Sequence, residues 1–216
     1  MTAEITRMRD AALAGELIAD TFGSDAITRW LVPPVRDRLP IQRRFFTMHV
    51  AHALDHGDVY GIRESGALAG VAVWFTAPFP EIPGQEEAIA SFAGEHAERY
   101  GVLGQQMDKL HPHEPHHYLA FIALARGKTG RGLGSLLLEE HHGRLDAQEM
   151  PAYLEASSEA SRRLYLRHGY ADMPELLRLP GGPVMYPMWR ASRSSASAEV
   201  DASRSAGSPE SRSHEV

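Results

Sequence analysis

The stretch HHYLAFIALARGKTGRGLGSLLLEE, residues 116–140, constrains the fold of this chain more than any other part. Its opening run is short and nearly all apolar, the pattern of a strand covered on both faces. A Gly-rich, basic turn follows. Leu133, Leu136 and Leu137 then predict a helix starting near Gly132 or Leu133 and turning these leucines toward a sheet. Glycines at 130, 132 and 134 leave backbone N–H groups uncovered at the helix N-terminus, where the dipole favours an anion such as a pyrophosphate. Arg126, Lys128 and Arg131 are expected around the same rim.

Two common phosphate loops do not fit. A Walker A loop ending in Gly127-Lys128-Thr129 needs glycine at 122, where the chain has Ile122. The dinucleotide fingerprint beginning Gly130-x-Gly132 needs glycine at 135, where the chain has Ser135.

The flanking segments predict a mixed sheet with helices packed on its faces. Residues 3–9 read as a short strand, and Leu13, Leu17, Ile18 and Phe22 recur at helical spacing. A second helix is expected over LPIQRRFFTMHVAHALDHG, with Ile41, Phe45 and Met48 on one side and Gly57 as its stop. The run DVYGIRESGALAGVAVWF reads as a hairpin turning at Ser65-Gly66. After a Pro-rich connection from Pro78 to Gly84, one or two helices are expected between Gln85 and Leu110. Beyond the central helix, PAYLEAS reads as a strand, SEASRRLYLRHG as a capped helix, and YADMPELLRLPGGPVMYPMWR as two further strands.

The chain has 216 residues, 43 % of them apolar, which suffices for one sizeable core. Residues 1–190 are expected to form that domain. The remainder, 191–216, is rich in Ser, Ala, Arg and Glu, and predicts a disordered tail. Without cysteine, the chain has no disulfide, thiolate ligand or cysteine nucleophile. A formal charge of −6 without a long basic run disfavours nucleic-acid and anionic-membrane partners. No apolar N-terminal core or spanning run is present, so a cytoplasmic location is expected. HEPHH, residues 113–117, formally satisfies a zinc-protease motif, but Pro112 and Pro115 disfavour the helix that motif requires, and no metal is expected.

Thr129-Gly130-Arg131-Gly132-Leu133-Gly134 resembles the acetyl-coenzyme A loop of the GCN5-related N-acetyltransferases, with Thr where the family carries Gln or Arg. YLEASSEASRRLYLRHGY resembles the family's second motif, matching at Tyr165, Gly169 and Tyr170. The resemblance spans roughly residues 3–190. It implies an α/β fold whose central sheet is mixed and mostly antiparallel, with a splayed central strand pair and helices on both faces. GVAVWFTAP and HPHEPHHYLAFIAL are similar to segments of the family's puromycin N-acetyltransferase branch, which implies a setting in antibiotic modification or biosynthesis.

The resemblance also implies a division of labour. Acetyl transfer from a thioester to an amine requires a neutral amine, a stabilised tetrahedral oxyanion and a protonated leaving thiolate. Backbone groups of Ile122, Ala123 and Leu124 would hold the pantetheine arm, with Leu124 N–H as oxyanion donor. The loop from Thr129 through Gly130, Arg131, Gly132, Leu133 and Gly134 to Ser135 would hold the pyrophosphate. Tyr165 would be the thiolate acid, since a phenol of pKa ~10 keeps its proton where a thiol of ~8.5 loses it. Ser161, one turn earlier, would bond the pantetheine.

For the base, Glu155 is a candidate, and pairing with Arg162 or Arg163 is its structural alternative. His116 and His117 are further candidates at the mouth of the strand. Trp74, Phe75 and His117 are placed at the acceptor site. Donor and acceptor would be acetyl-coenzyme A and a small-molecule amine, for a monomer or homodimer. A donor that is another acyl-coenzyme A or an acyl carrier protein, a non-catalytic acyl-coenzyme A binder, and acetylation of protein N-termini or lysines are the alternatives.

Overall fold

The computed structural model describes residues 3–192; the tail expected at 191–216 therefore lies almost wholly outside the described residues. Along the chain run β1 (Ala3–Arg7), α1 (Ala11–Phe22), α2 (Ala26–Leu31), α3 (Val35–His56), β2 (Gly57–Glu64), β3 (Ala67–Ala77), α4 (Gln85–Ala93), α5 (Ala97–Leu110), β4 (His116–Leu124), α6 (Leu133–Ala147), β5 (Ala152–Ala156), α7 (Glu159–Arg167), β6 (Ala171–Asp172), β7 (Leu177–Arg178) and β8 (Val184–Arg190). The strands form one sheet in the order β1-β2-β3-β4-β5-β8-β6, with β7 beside β8. Every pairing is antiparallel except β4 with β5. Among the described residues no helix is long and apolar enough to cross a membrane.

Local chemistry explains the element ends. Asp10 caps α1 by accepting from Leu13 N at 2.9 Å, which halts β1 at Arg7, short of the expected residue 9. Ser65 and Gly66 both have positive φ, so the β2–β3 hairpin turns through a two-residue loop matched to the strand twist. Gly94, at φ 55°, separates α4 from α5. α3 begins at Val35, a turn before the expected start, and carries Pro40 within it. The segment after α7 forms three strands where two were expected, β6 and β7 of two residues each and β8 of seven.

Two cores cover the sheet. On one face α6 and Tyr165 of α7 pack over Tyr60, Trp74, Leu119 and Leu154; on the other α1 and α3 pack over Val71, Val73, Tyr118 and Tyr153. Leu133 and Leu137 face the sheet as expected, but Leu136 is 41 % exposed. Its place is taken by the stripe Leu133, Gly134, Leu137, Leu138, His141, His142 and Leu145, whose centre lies on the opposite side of α6 from Leu136.

A candidate acyl-transfer site at the splayed strands

β4 pairs with β3 along its whole length, yet with β5 only at His117↔Ala152 and Tyr118↔Tyr153. Beyond Tyr118 the two parallel strands part, and the inner edge of β4 is unpaired within the sheet. Ala125 N donates to Ala69 O at 2.9 Å, which fixes the ladder's alternation. Ala123 therefore turns its backbone toward Val71, and Ile122 and Leu124 turn theirs to the open edge. The expected trio narrows to these two. Thr21 of α1 places Oγ1 3.0 Å from the Leu124 carbonyl, an interaction with no signal in the sequence pattern.

A register shift between β3 and β4 leaves Ala120 as the extra residue, with Phe121 opposite Val73 and Leu119 opposite Trp74. This bulge puts Tyr118 and Phe121 on the same face although they are three residues apart. Ile122, Leu124 and Leu119 consequently lie on the α6 face.

At the end of β4 the chain enters the glycine turn. Gly127, Gly130 and Gly132 have φ of 74°, 74° and 80°, and a Cβ built at any of them would meet nothing within 4 Å. Gly132 is the N-cap of α6 and offers no side chain to its first amides. Open space, free N–H groups and the helix dipole make a cradle for a pyrophosphate, so the residues present fit acetyl-coenzyme A. The basic side chains are arranged differently from expectation. Lys128 Nζ and Arg131 Nη2 both bind Glu64 at the end of β2, at 2.8 and 3.0 Å, and the Lys128 hydrogen bond holds the Glu64 carboxyl below its ordinary pKa. Three charges with a net of +1 thus latch the loop to the sheet. Glu64→Gln is expected to speed amide exchange across residues 125–132 several-fold while far strands keep their protection; unchanged exchange in the loop would refute the latch.

Other expected cofactor contacts have local partners. Ser161 donates to Ser158 O at 2.9 Å and accepts from Ser158 N at 3.2 Å, closing a capping box at the start of α7. Ser135 Oγ lies 2.9 Å from His168 Nε2, joining the first turn of α6 to the end of α7. Thr129 is exposed on the loop. Tyr165 is 6 % exposed, its ring edge-on to Tyr170 at 5.8 Å, and burial pushes its pKa up.

Glu155 lies on the other face, level with the start of the splay. Tyr118 Oη donates to its Oε2 at 2.9 Å, whereas Oε1 and the nearby phenol oxygen of Tyr153 are buried without a hydrogen-bond partner. Burial raises the carboxyl pKa to about 7 against the opposing pull of the Tyr118 hydrogen bond. Neither arginine alternative is formed: Arg162 binds Asp172 and Glu159, and Arg163 is exposed on α7 while the Glu155 carboxyl is buried against Tyr118. Neither Tyr118 nor Tyr153 was singled out by sequence; both read there as apolar strand residues.

The expected acceptor residues separate. Trp74 is fully buried on the α6 face, stacked on His141 at 4.1 Å, and His117 binds His141 Nε2 at 3.0 Å; both are core. Phe75 packs on Phe79 at 4.9 Å. His116 Nδ1 faces the Glu114 carbonyl at 2.7 Å and Nε2 lies 3.2 Å from His111, so it closes the mouth of the strand near Tyr153. In place of Trp74, half-buried Phe45, Phe121, Met107 and Met173 border the face that carries Glu155.

No protein-family model matches the chain. Solved structures do. It is similar to a structure from Corynebacterium glutamicum described as histone acetyltransferase HPA2 and related acetyltransferase, with TM-score 0.70, 23 % identity, and coverage of 89 % of this chain and 97 % of the other. Arylalkylamine N-acetyltransferase 2 from Aedes aegypti matches at TM-score 0.65 and 12 % identity over 88 % and 99 %. The ribosomal-protein-S18-alanine N-acetyltransferase from Escherichia coli matches at 0.54 and 14 % over 88 % and 94 %. The chain has the fold of the GCN5-related N-acetyltransferases, as its β4 motif implied.

Proposed function

We propose that this chain is an N-acetyltransferase that moves an acetyl group from acetyl-coenzyme A to a primary amine of a small molecule. One observation carries the reading. The open edge of β4 has an uncapped helix start and a buried phenol on one face of the sheet, and on the other a buried carboxyl with an unpartnered oxygen. Donor and acceptor can therefore approach the gap from opposite sides, so that the amine adds to the thioester carbonyl and the thiolate is expelled from the tetrahedral intermediate toward the phenol's face.

Acetyl-coenzyme A supplies the activated thioester, and the protein supplies the rest. The N–H groups at the start of α6 hold phosphate, and the open-edge backbone groups of Ile122 hold the pantetheine as an added strand would. Leu124 N–H donates to the thioester oxygen as charge develops there. Glu155 Oε1, with Tyr153 Oη, receives the amine and takes its proton. A carboxyl with a pKa of about 7 is a stronger base than an ordinary glutamate and is still substantially ionised at neutral pH. Tyr165, kept protonated by burial, donates to the departing sulfur. The small-molecule acceptor fits the apolar border of Phe45, Phe121, Met107 and Met173. The antibiotic setting rests on the likeness of GVAVWFTAP to the puromycin N-acetyltransferase branch.

Thiol release from acetyl-coenzyme A in the presence of a primary amine tests the reading. Tyr118→Phe sharpens that test, because the lost hydrogen bond favoured the ionised carboxylate. The acid limb of kcat/KM is expected to move to higher pH, by about one pH unit for a charge-assisted bond. A limb that stays put, or moves down, would remove Glu155 from the base role.

A further inference from the structure

The acceptor wall contains a polar group, His49, that the transfer chemistry leaves unused. Phe45 and His49 stand one turn apart on α3, with ring centroids 4.2 Å apart, and His49 meets Phe121 of β4 edge-on at 5.8 Å. Phe121 also packs edge-on against Phe46 at 5.1 Å. Through the bulge at Ala120, Phe121 shares its face of β4 with Tyr118, whose hydroxyl holds Glu155. The His49 ring therefore lies over the same face as the carboxyl.

Its tautomer is dictated by its surroundings. Nδ1 lies 2.8 Å from the Phe45 carbonyl, a pure acceptor, so Nδ1 carries the hydrogen and Nε2 carries a lone pair. No hydrogen bond from a described residue reaches Nε2. Burial, with a smaller contribution from His52, brings the His49 pKa down to about 4, so at neutral pH the ring is an uncharged acceptor among aromatic rings. A cationic ring here would oppose an incoming ammonium; a neutral one does not. An acceptor carboxylate would face a lone pair, whereas a hydroxyl or amide N–H would complete the bond.

We infer that the acceptor is an amine on a flat, apolar body that carries a hydrogen-bond donor, seated against Phe45 and Phe121 with its donor bonded to His49 Nε2. His49 is then a specificity-determining residue, and this inference rests on the N-acetyltransferase reading above. Glu155 and Tyr165 act on the reacting atoms, so His49 acts through acceptor binding and leaves kcat in place.

The probes are phenethylamine and its ring-hydroxylated counterpart tyramine, assayed by thiol release with saturating acetyl-coenzyme A. The native protein is expected to show a KM for tyramine about 3- to 10-fold below that for phenethylamine, the worth of one good neutral hydrogen bond. His49→Phe should abolish the difference by raising the tyramine KM alone, and His49→Gln, which keeps an acceptor oxygen, should retain part of it. Equal KM values in the native protein, a preference that survives His49→Phe, or no turnover of either amine would overturn the inference. Calorimetric titration of each variant with acetyl-coenzyme A separates the two levels. Donor binding without acceptor discrimination sinks this inference alone, whereas a folded native protein that ignores acetyl-coenzyme A sinks the parent reading with it.

Discussion

Glu155→Gln is expected to lower kcat/KM for amine acetylation by roughly 10²- to 10⁴-fold, the usual contribution of a positioned general base. The substitution nearly preserves shape and still accepts from Tyr118, so the loss reports basicity more than packing. A second readout has the opposite sign. The folded carboxyl titrates at about 7 against an ordinary 4.5, so between those values the folded chain holds a proton that the unfolded chain has released. Stability conferred by the protonated group is present below pH 4.5 and is lost as pH rises through 7. Glutamine cannot ionise. Above pH 7 the variant should be the more stable protein, by on the order of 1–3 kcal/mol, as read from denaturant midpoints. A variant that is less active and also less stable at high pH would mark Glu155 as a structural anchor.

Gly132→Glu is expected to weaken acetyl-coenzyme A binding by at least about 100-fold, as seen by calorimetry. Three effects act together: a non-glycine residue at φ 80°, a side chain in the cradle, and a carboxylate where the helix dipole and free amides attract phosphate. Charge and steric filling should dominate, since backbone strain alone is on the order of 1–2 kcal/mol. Gly132→Ala isolates that strain and should cost about 30-fold or less. The added Cβ meets nothing within 4 Å, so both variants should fold. Equal affinities for the native protein and Gly132→Glu would place the phosphates elsewhere.

The strand, glycine turn and helix at 116–140 were legible because each has a local cause: an apolar run, glycines at positive φ, and a 3.6-residue stripe. The hairpin at Ser65-Gly66 and the capped start at Ser158 were legible for the same reason. What escaped depends on partners distant in sequence. Nothing local says that Lys128 and Arg131 close on Glu64, or that Thr21 reaches the Leu124 carbonyl. The bulge at Ala120 reverses the alternation after Leu119, so a period-two reading of HHYLAFIAL would separate Tyr118 from Phe121. Trp74 and His117 fell to the core because their faces are set by pairing with strands whose register no single segment fixes. Ser161 looked free because serine seldom fills the third position of a capping box, where Glu or Gln is usual. The Glu155 environment was half legible: the strand position was readable, the two phenols around it were not.

The most direct test is the pH profile of thiol release from acetyl-coenzyme A with a primary amine, for the native protein and Glu155→Gln across about pH 6 to 9. The account predicts turnover by the native protein with a break near pH 7, and a slow profile without that break in the variant. Equal profiles in the two proteins, or no amine-dependent thiol release by folded native protein, would contradict it.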